Sequence, residues 1–286
     1  MNAFIVNVEK IQRQAEDLTA AYAKAAPFPH AVIDDVLSVD SATLGDFPAS
    51  DWEHWNQLGD KYQHQKMSCG NIRVIPEPFK QVIHELTEPK FLQLLEKITG
   101  IEKLIPDPHL SGGGLHMSGP GGILAAHTDF HIYRRLGLYR RINVLLYLNE
   151  GWQPEDGGGL TFYSGDSPAT VISPIFGRLA IFTTDDKSVH GFPTPVAEGK
   201  WRKSIALYYY TSTEAENFSG DETTYWRQHD NLTGIVSSAR FLAYRLLLNV
   251  SRGFSALAHV ANPHQGMGLV KTMLENKKNE RERAGR

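Results

Sequence analysis

Residues 125–131 read AAHTDFH, and one more histidine, His190, stands in SVHGF about sixty positions downstream. In an extended segment, residues two apart point the same way. His127 and Asp129 can therefore face one ion, and a third ligand carried by a distant strand would close the site. Two imidazoles and one carboxylate are the set that holds non-haem iron(II) with coordination positions left open for a cosubstrate and O2. Zinc accepts similar ligands, so these residues do not select the metal by themselves. His131 competes for the same assignment, and any one of these histidines could equally be a hydrogen-bonded core residue.

A second feature lies twelve positions beyond His190. Alternation along WRKSIALYYY puts Arg202, Ser204, Ala206 and Tyr208 on one strand face, opposite Lys203, Ile205, Leu207 and Tyr209. A dicarboxylate that chelates a metal through a keto-acid end needs its far carboxylate neutralised. An arginine fork does this, and a serine hydroxyl adds a hydrogen bond. In RINVLLYLN the same alternation groups Ile142, Val144, Leu146 and Leu148, apart from Asn143, Leu145 and Tyr147. The first face calls for helices over it and the second for something polar.

The elements that must position these residues fall into three regions. Residues 1–109 are read as mainly helical, with VEKIQRQAEDLTAAYAKAA stopping at Pro27 and PFKQVIHELTEPKFLQLLEKITG at helical spacing up to Gly100. Residues 110–213 consist of short β-rich runs separated by Gly, Pro and Asp, a spacing expected of a barrel or sandwich. SGGGLHMSGPGG lacks the Lys-Ser/Thr of a phosphate loop and reads as turns between strands. DGGGL reads as a tight connection that brings Leu160 or Phe162 to the pocket. Residues 214–286 form a helical extension ending in the charged LENKKNERERAGR.

The 286 residues carry a net charge of −3, with a sequence pI of about 6.5, so no footprint for general nucleic-acid binding is present. A single cysteine, Cys69, excludes an intrachain disulfide framework and a cysteine-rich zinc site. The N-terminus becomes charged too early for a secretory leader, and no apolar run reaches membrane-spanning length. A cytoplasmic protein without stable membrane insertion is expected.

HTD, RRINVLLYLNEGW, DGGGLTFY, GRLAIFTTDDKSVHGFPTPV and KWRKSIALYYYT together resemble the 2-oxoglutarate- and Fe(II)-dependent dioxygenases, prolyl 4-hydroxylase-like branch. The likeness spans about Leu110 to Thr213, and PFPHAVIDDVL is similar to the N-terminal segment of bacterial members. It implies an α+β protein: a double-stranded β-helix (jelly roll), with N-terminal helices packed on its major sheet and a C-terminal helical extension. It also implies Fe(II) on His127, Asp129 and His190, and 2-oxoglutarate on Arg202 and Ser204 with contacts from Tyr147 and Asn143. O2 would be the second cosubstrate, and ascorbate enters as a reductant. Met117 stands where some prolyl hydroxylases carry a tyrosine, a departure that weakens the expectation of a prolyl substrate. The carboxylate of Asp129 argues for hydroxylation over halogenation.

Substrate contacts are expected from His131, Arg134, Arg135 and Leu160, with Arg140 and Arg141 as further cations near the mouth. A protein or peptide prolyl residue, a small molecule such as a free amino acid, or a sugar or lipid precursor would fit. The C-terminal helix could pack on the core, lie on an anionic surface or pair two chains as a homodimer. The alternative class is a non-catalytic or zinc-dependent cupin-like protein that binds a sugar or metabolite.

Overall fold

In the computed structural model the described residues are 4–59 and 62–214, with 218, 224–226 and scattered positions between 243 and 257. Met1–Arg227 forms one compact unit and Gln228–Arg286 a second. The C-terminal helix read from its spacing, its suggested dimer contact and the charged tail lie almost wholly outside the described residues. Among the described residues no helix is long and apolar enough to cross a membrane.

Helix α1 (Val8–Tyr22) starts at Asn7, whose side-chain oxygen accepts the Lys10 N–H at 3.0 Å and so satisfies one donor left over at a helix start. A short turn of helix, α2 (Ser41–Leu44), follows. The run PFKQVIHELTEPKFLQLLEKITG is two helices, α3 (Glu77–Glu85) and α4 (Pro89–Thr99). Proline lacks an N–H and clashes with the preceding turn, so Pro89 opens a helix instead of continuing one. Gly100 closes α4 in the left-handed conformation, φ 70°.

The strands are β1 (His30–Ile33), β2 (Asn56–Leu58), β3 (Gln63–Cys69), β4 (Ile105–Pro106), β5 (Gly114–Thr128), β6 (Ile132–Tyr133) and β7 (Leu138–Tyr147), then β8 (Leu160–Ser164), β9 (Ser167–Ile172), β10 (Leu179–Thr183), β11 (His190–Phe192), β12 (Arg202–Thr211) and β13 (Tyr225–Trp226). They form one curled antiparallel sheet with main path β1-β10-β7-β12-β5-β11-β8-β9. The curl is made by β5. Its first half pairs with β12, from Gly114 opposite Ala206 to Ser118 opposite Arg202. Its second half pairs with β11, with His127 opposite His190. One strand thus serves both walls of the jelly roll.

The glycine-rich stretch read as turns is therefore largely strand, and its glycines make the corner. Gly121 has φ +73°, and a Cβ on Gly122 would lie 2.7 Å from the Gly119 carbonyl oxygen. A second correction concerns β3, which lies inside the region read as mainly helical. Only Met67 and Cys69 of QHQKMSC are buried, so no apolar alternation announces this strand. Pairing with β5 holds it in place.

The two faces of β7 and β12 divide as their alternation predicts. Ile142, Val144, Leu146, Ile205, Leu207 and Tyr209 join Ile11, Phe79, Phe91 and Leu95 of the helices in one core. Each such apolar side chain, fully buried, contributes about 1.5–3 kcal/mol. Asn143, Leu145, Arg202, Ser204 and Tyr208 line a cavity on the other face.

Candidate active site

His127 lies near the end of β5 and Asp129 just beyond it, while His190 opens β11, directly opposite His127 in the ladder. All three are buried, and one ligand atom from each lies within 4.8 Å of the others. The Nδ1 of His127 is 2.9 Å from the Ala125 carbonyl oxygen, and that of His190 is 2.9 Å from the Ser188 carbonyl oxygen. A carbonyl can only accept, so each Nδ1 carries the hydrogen and each Nε2 offers a lone pair. Those Nε2 atoms lie 3.7 and 3.5 Å from the Asp129 carboxylate. Two neutral imidazoles and one carboxylate, oriented from behind by backbone carbonyls, fit a divalent ion. Burial pushes His190 down to about 4, in keeping with a neutral ring.

Asp129 is held by its own partners. Its Oδ2 lies 3.0 Å from Arg140 Nη2 and accepts the Asn143 amide at 2.7 Å, while Arg140 Nε donates to Asn143 Oδ1 at 2.9 Å. Burial alone would raise the Asp129 pKa, but the Arg140 guanidinium and the facing imidazoles hold its carboxyl well below the usual carboxylate range. Arg140 is itself only 2% exposed and lies 3.4 Å over the Tyr208 ring centroid. The cation expected at the mouth is thus a buried partner of Asp129. Asn143 lines the cavity as expected, but its amide is engaged by Asp129 and Arg140.

Arg202 lies at the other end. Its Nε donates to the Gly158 carbonyl at 2.7 Å and its Nη2 to the Tyr147 hydroxyl at 3.3 Å, with its guanidinium carbon 4.5 Å from the Phe192 ring centroid. Gly158 has φ +62°, and a Cβ there would lie 3.0 Å from Arg202 Cδ, so DGGGL supplies an acceptor as well as a turn. Burial draws the Arg202 pKa down, partly countered by Tyr147. Among the described residues no carboxylate reaches Arg202. Ser204 lies on the same strand face and also lines the cavity. Tyr147 is fully buried behind Arg202, outside the lining, and touches the guanidinium.

The expected substrate contacts separate. Leu160 lines the cavity, whereas His131, Arg134 and Arg135 do not. His131 is fully buried, stacked on Phe218 with ring centroids 4.5 Å apart, and 3.6 Å from Asp186. Arg134 and Arg135 are exposed on the turn between β6 and β7. Met117 faces the helical core, and its neighbours His116 and Ser118 face the cavity. The departure noted at Met117 therefore falls on a residue outside the pocket. Sequence reasoning missed Lys66, His116 and Trp226. Trp226 lies against His127, with centroids 4.8 Å apart, and stacks on Tyr62 at 5.2 Å with the rings 7° from parallel.

Residues 113–210 match the family model of the 2OG-Fe(II) oxygenase superfamily. The His-Asp-His cluster lies inside that stretch, so the matched region carries a ligand set of the kind that holds non-haem iron. The fold of the chain is similar to that of a prolyl 4-hydroxylase from Phytophthora capsici, with TM-score 0.50 and 18% identity over 85% of this chain and 77% of that one. It also resembles a Pseudomonas putida prolyl-4-hydroxylase, with TM-score 0.46 and 22% identity over 68% of this chain and 98% of the other. A third similar structure is Streptomyces hygroscopicus HygX with nickel and 2-oxoglutarate bound, with TM-score 0.44 and 13% identity over 69% and 92%. No curated protein matches the chain.

Proposed function

We propose that this chain is a 2-oxoglutarate- and Fe(II)-dependent dioxygenase that hydroxylates a C–H bond of a substrate bound in the cavity, with His127, Asp129 and His190 holding Fe(II) and Arg202 with Ser204 holding the far carboxylate of 2-oxoglutarate. The observation that carries the reading is Arg202, a buried cation with only neutral partners, lining the same cavity as the three ligands. When bound, Fe(II) with 2-oxoglutarate supplies the activation of O2 that turns the keto acid into succinate and CO2 and delivers an oxygen atom to the C–H bond.

The work of the chain is to orient and to exclude water. Ala125 and Ser188 hold the imidazoles in their ligating tautomer, and Arg140 keeps Asp129 ionised at the centre. Tyr147 and Gly158 leave Arg202 Nη1 without a hydrogen bond among the described residues, and that donor can meet an anion alongside the Ser204 hydroxyl. The wall formed by Leu124, Phe182, Phe192 and Trp226 keeps the reacting region dry. Asp129 would fill the third ligand position and leave no place for a halide, which favours hydroxylation over halogenation.

Purified protein supplied with Fe(II), 2-oxoglutarate and O2 should form succinate, and the rate should rise when a true substrate is added. Turnover that persists in EDTA, or that proceeds with zinc as the sole metal, would replace this reading with the cupin-like one. Ascorbate is proposed as the reductant that keeps the metal ferrous, and succinate yield with and without it tests this.

A further inference from the structure

We propose that the C-terminal helical segment docks on an anionic lipid bilayer, lying along its surface with an apolar face in the headgroup boundary. The inference is independent of the cavity and of the chemistry read there.

The described residues of this segment include helical Leu246, Leu247, Val250, Phe254 and Leu257. All five are exposed, from 47% for Val250 to 69% for Phe254. Four other large apolar residues are exposed among the described ones, Phe4, Ile105, Leu136 and Val171, and these stand singly along the chain. A scattered apolar residue on a surface is ordinary, whereas five within twelve positions mark a patch that has a partner. At 3.6 residues per turn the five fall within an arc of about 100°, with helical Asn249 and Ser251 outside it. The patch is therefore one continuous side of a helix.

Charge selects the occupant. Residues 231–274 contain no Asp or Glu but include Arg240, Arg245, Arg252 and Lys271, although the chain as a whole carries −3. An apolar helix face in a segment of uniformly positive charge matches a bilayer with anionic headgroups: the acyl boundary takes the face, and the phosphates attract the cations. With Arg245 and Arg252 only seven residues apart, the segment suits lying on a bilayer and not crossing it. A second copy of the chain matches the face less well. A two-stranded seam would run through positions 246, 250, 253 and 257, and residue 253 is glycine, while two such segments carry like charge. The exposed arc is also wider than that narrow seam.

The test is sedimentation of full-length protein with vesicles of phosphatidylcholine alone, or of three parts phosphatidylcholine to one part phosphatidylglycerol, at about 0.1 M salt. Partitioning should be about tenfold or more stronger onto the anionic vesicles. The double variant Leu247→Ser, Phe254→Ser changes no charge and should lower that binding about tenfold or more. Its thermal unfolding midpoint should match wild type, because both positions are exposed. Phe254→Leu, which keeps the face apolar, should retain binding within about threefold. The double variant Arg245→Gln, Arg252→Gln should reduce the preference for anionic vesicles about tenfold. Wild-type protein that does not bind anionic vesicles, equal partitioning onto the two kinds, or binding that survives the paired serine substitutions would overturn the proposal. So would a lipid-free dimer, seen by analytical ultracentrifugation, that the serine variant dissociates, since the face would then belong to a second copy.

Discussion

Arg140 and Arg202 are both buried and both lie over an aromatic ring, 3.4 Å from the Tyr208 centroid and 4.5 Å from that of Phe192. Their surroundings differ in one respect. Arg140 faces a carboxylate of its own chain at 3.0 Å, whereas Arg202 meets a carbonyl, a hydroxyl and a ring face. Withdrawing an ion from water costs several kcal/mol, and neutral dipoles offset only part of that. The Asp129 end of the cavity is therefore electrostatically paired within the chain, while Arg202 has only neutral partners among the described residues. Two arginines of similar burial thus differ in charge balance: one keeps Asp129 ionised, and the proposed role of the other is to meet an anion.

The comparison is tested most severely at the ligands themselves. His127→Ala, Asp129→Ala and His190→Ala should each reduce succinate formation by about a hundredfold or more and lower bound iron, measured by atomic absorption. Full turnover in any two of them would show that the cluster is not the metal site. Next in size is Arg140→Met, which leaves Asp129 buried without its cation and should cost about 3–5 kcal/mol in denaturant unfolding without metal. A divalent ion should recover part of that loss, because positive charge beside Asp129 is what the variant lacks. Arg202→Met should behave differently. It removes an uncompensated charge, so metal-free stability should change by less than about 1 kcal/mol or improve, while 2-oxoglutarate affinity falls about tenfold or more. Equal destabilisation by the two methionine variants would erase the distinction between the two ends.

His127, Asp129 and His190 were legible because extended backbone has a period of two and the motifs around them occur in a recognisable order. Arg202 and Ser204 were legible for the same reason, as was the division of β7 into an apolar and a polar face. Arg140 was not. Continuing the alternation from Asn143 and Ile142 places Arg141 on the cavity side and Arg140 on the core side. In the ladder, however, Tyr209 pairs with Ile142 and Tyr210 with Arg140, so Arg141 is an extra residue. This bulge exchanges the two faces, and no pattern in RRIN signals it. Lys66 was hidden for another reason: QHQKMSC is polar through most of its length, and pairing with β5 makes it a strand. Tyr147 falls between these cases. Its face was read correctly, but only the packing reveals that Arg202 lies between it and the cavity.

The smallest expected effect concerns the turn at 134–137. Its arginines follow the metal motif directly in sequence, and that proximity argued for a role in gripping an anionic substrate. The fold places Arg134 and Arg135 on an exposed turn outside the cavity lining, where solvent and salt screen a charge within a Debye length of roughly 8–10 Å. A double Arg134→Glu, Arg135→Glu variant should therefore keep its unfolding free energy within about 0.5 kcal/mol of wild type. Its 2-oxoglutarate affinity should likewise stay within about twofold. The contrast lies with Arg202, buried in the cavity lining, where removing a single charge should lower 2-oxoglutarate affinity about tenfold or more. Adding salt sharpens the point: 2-oxoglutarate binding at the buried Arg202 should weaken only modestly between low and physiological ionic strength, whereas binding steered by an exposed turn would fall steeply. A steep salt dependence that disappears on reversing Arg134 and Arg135 would assign anion recognition to the turn and not to Arg202.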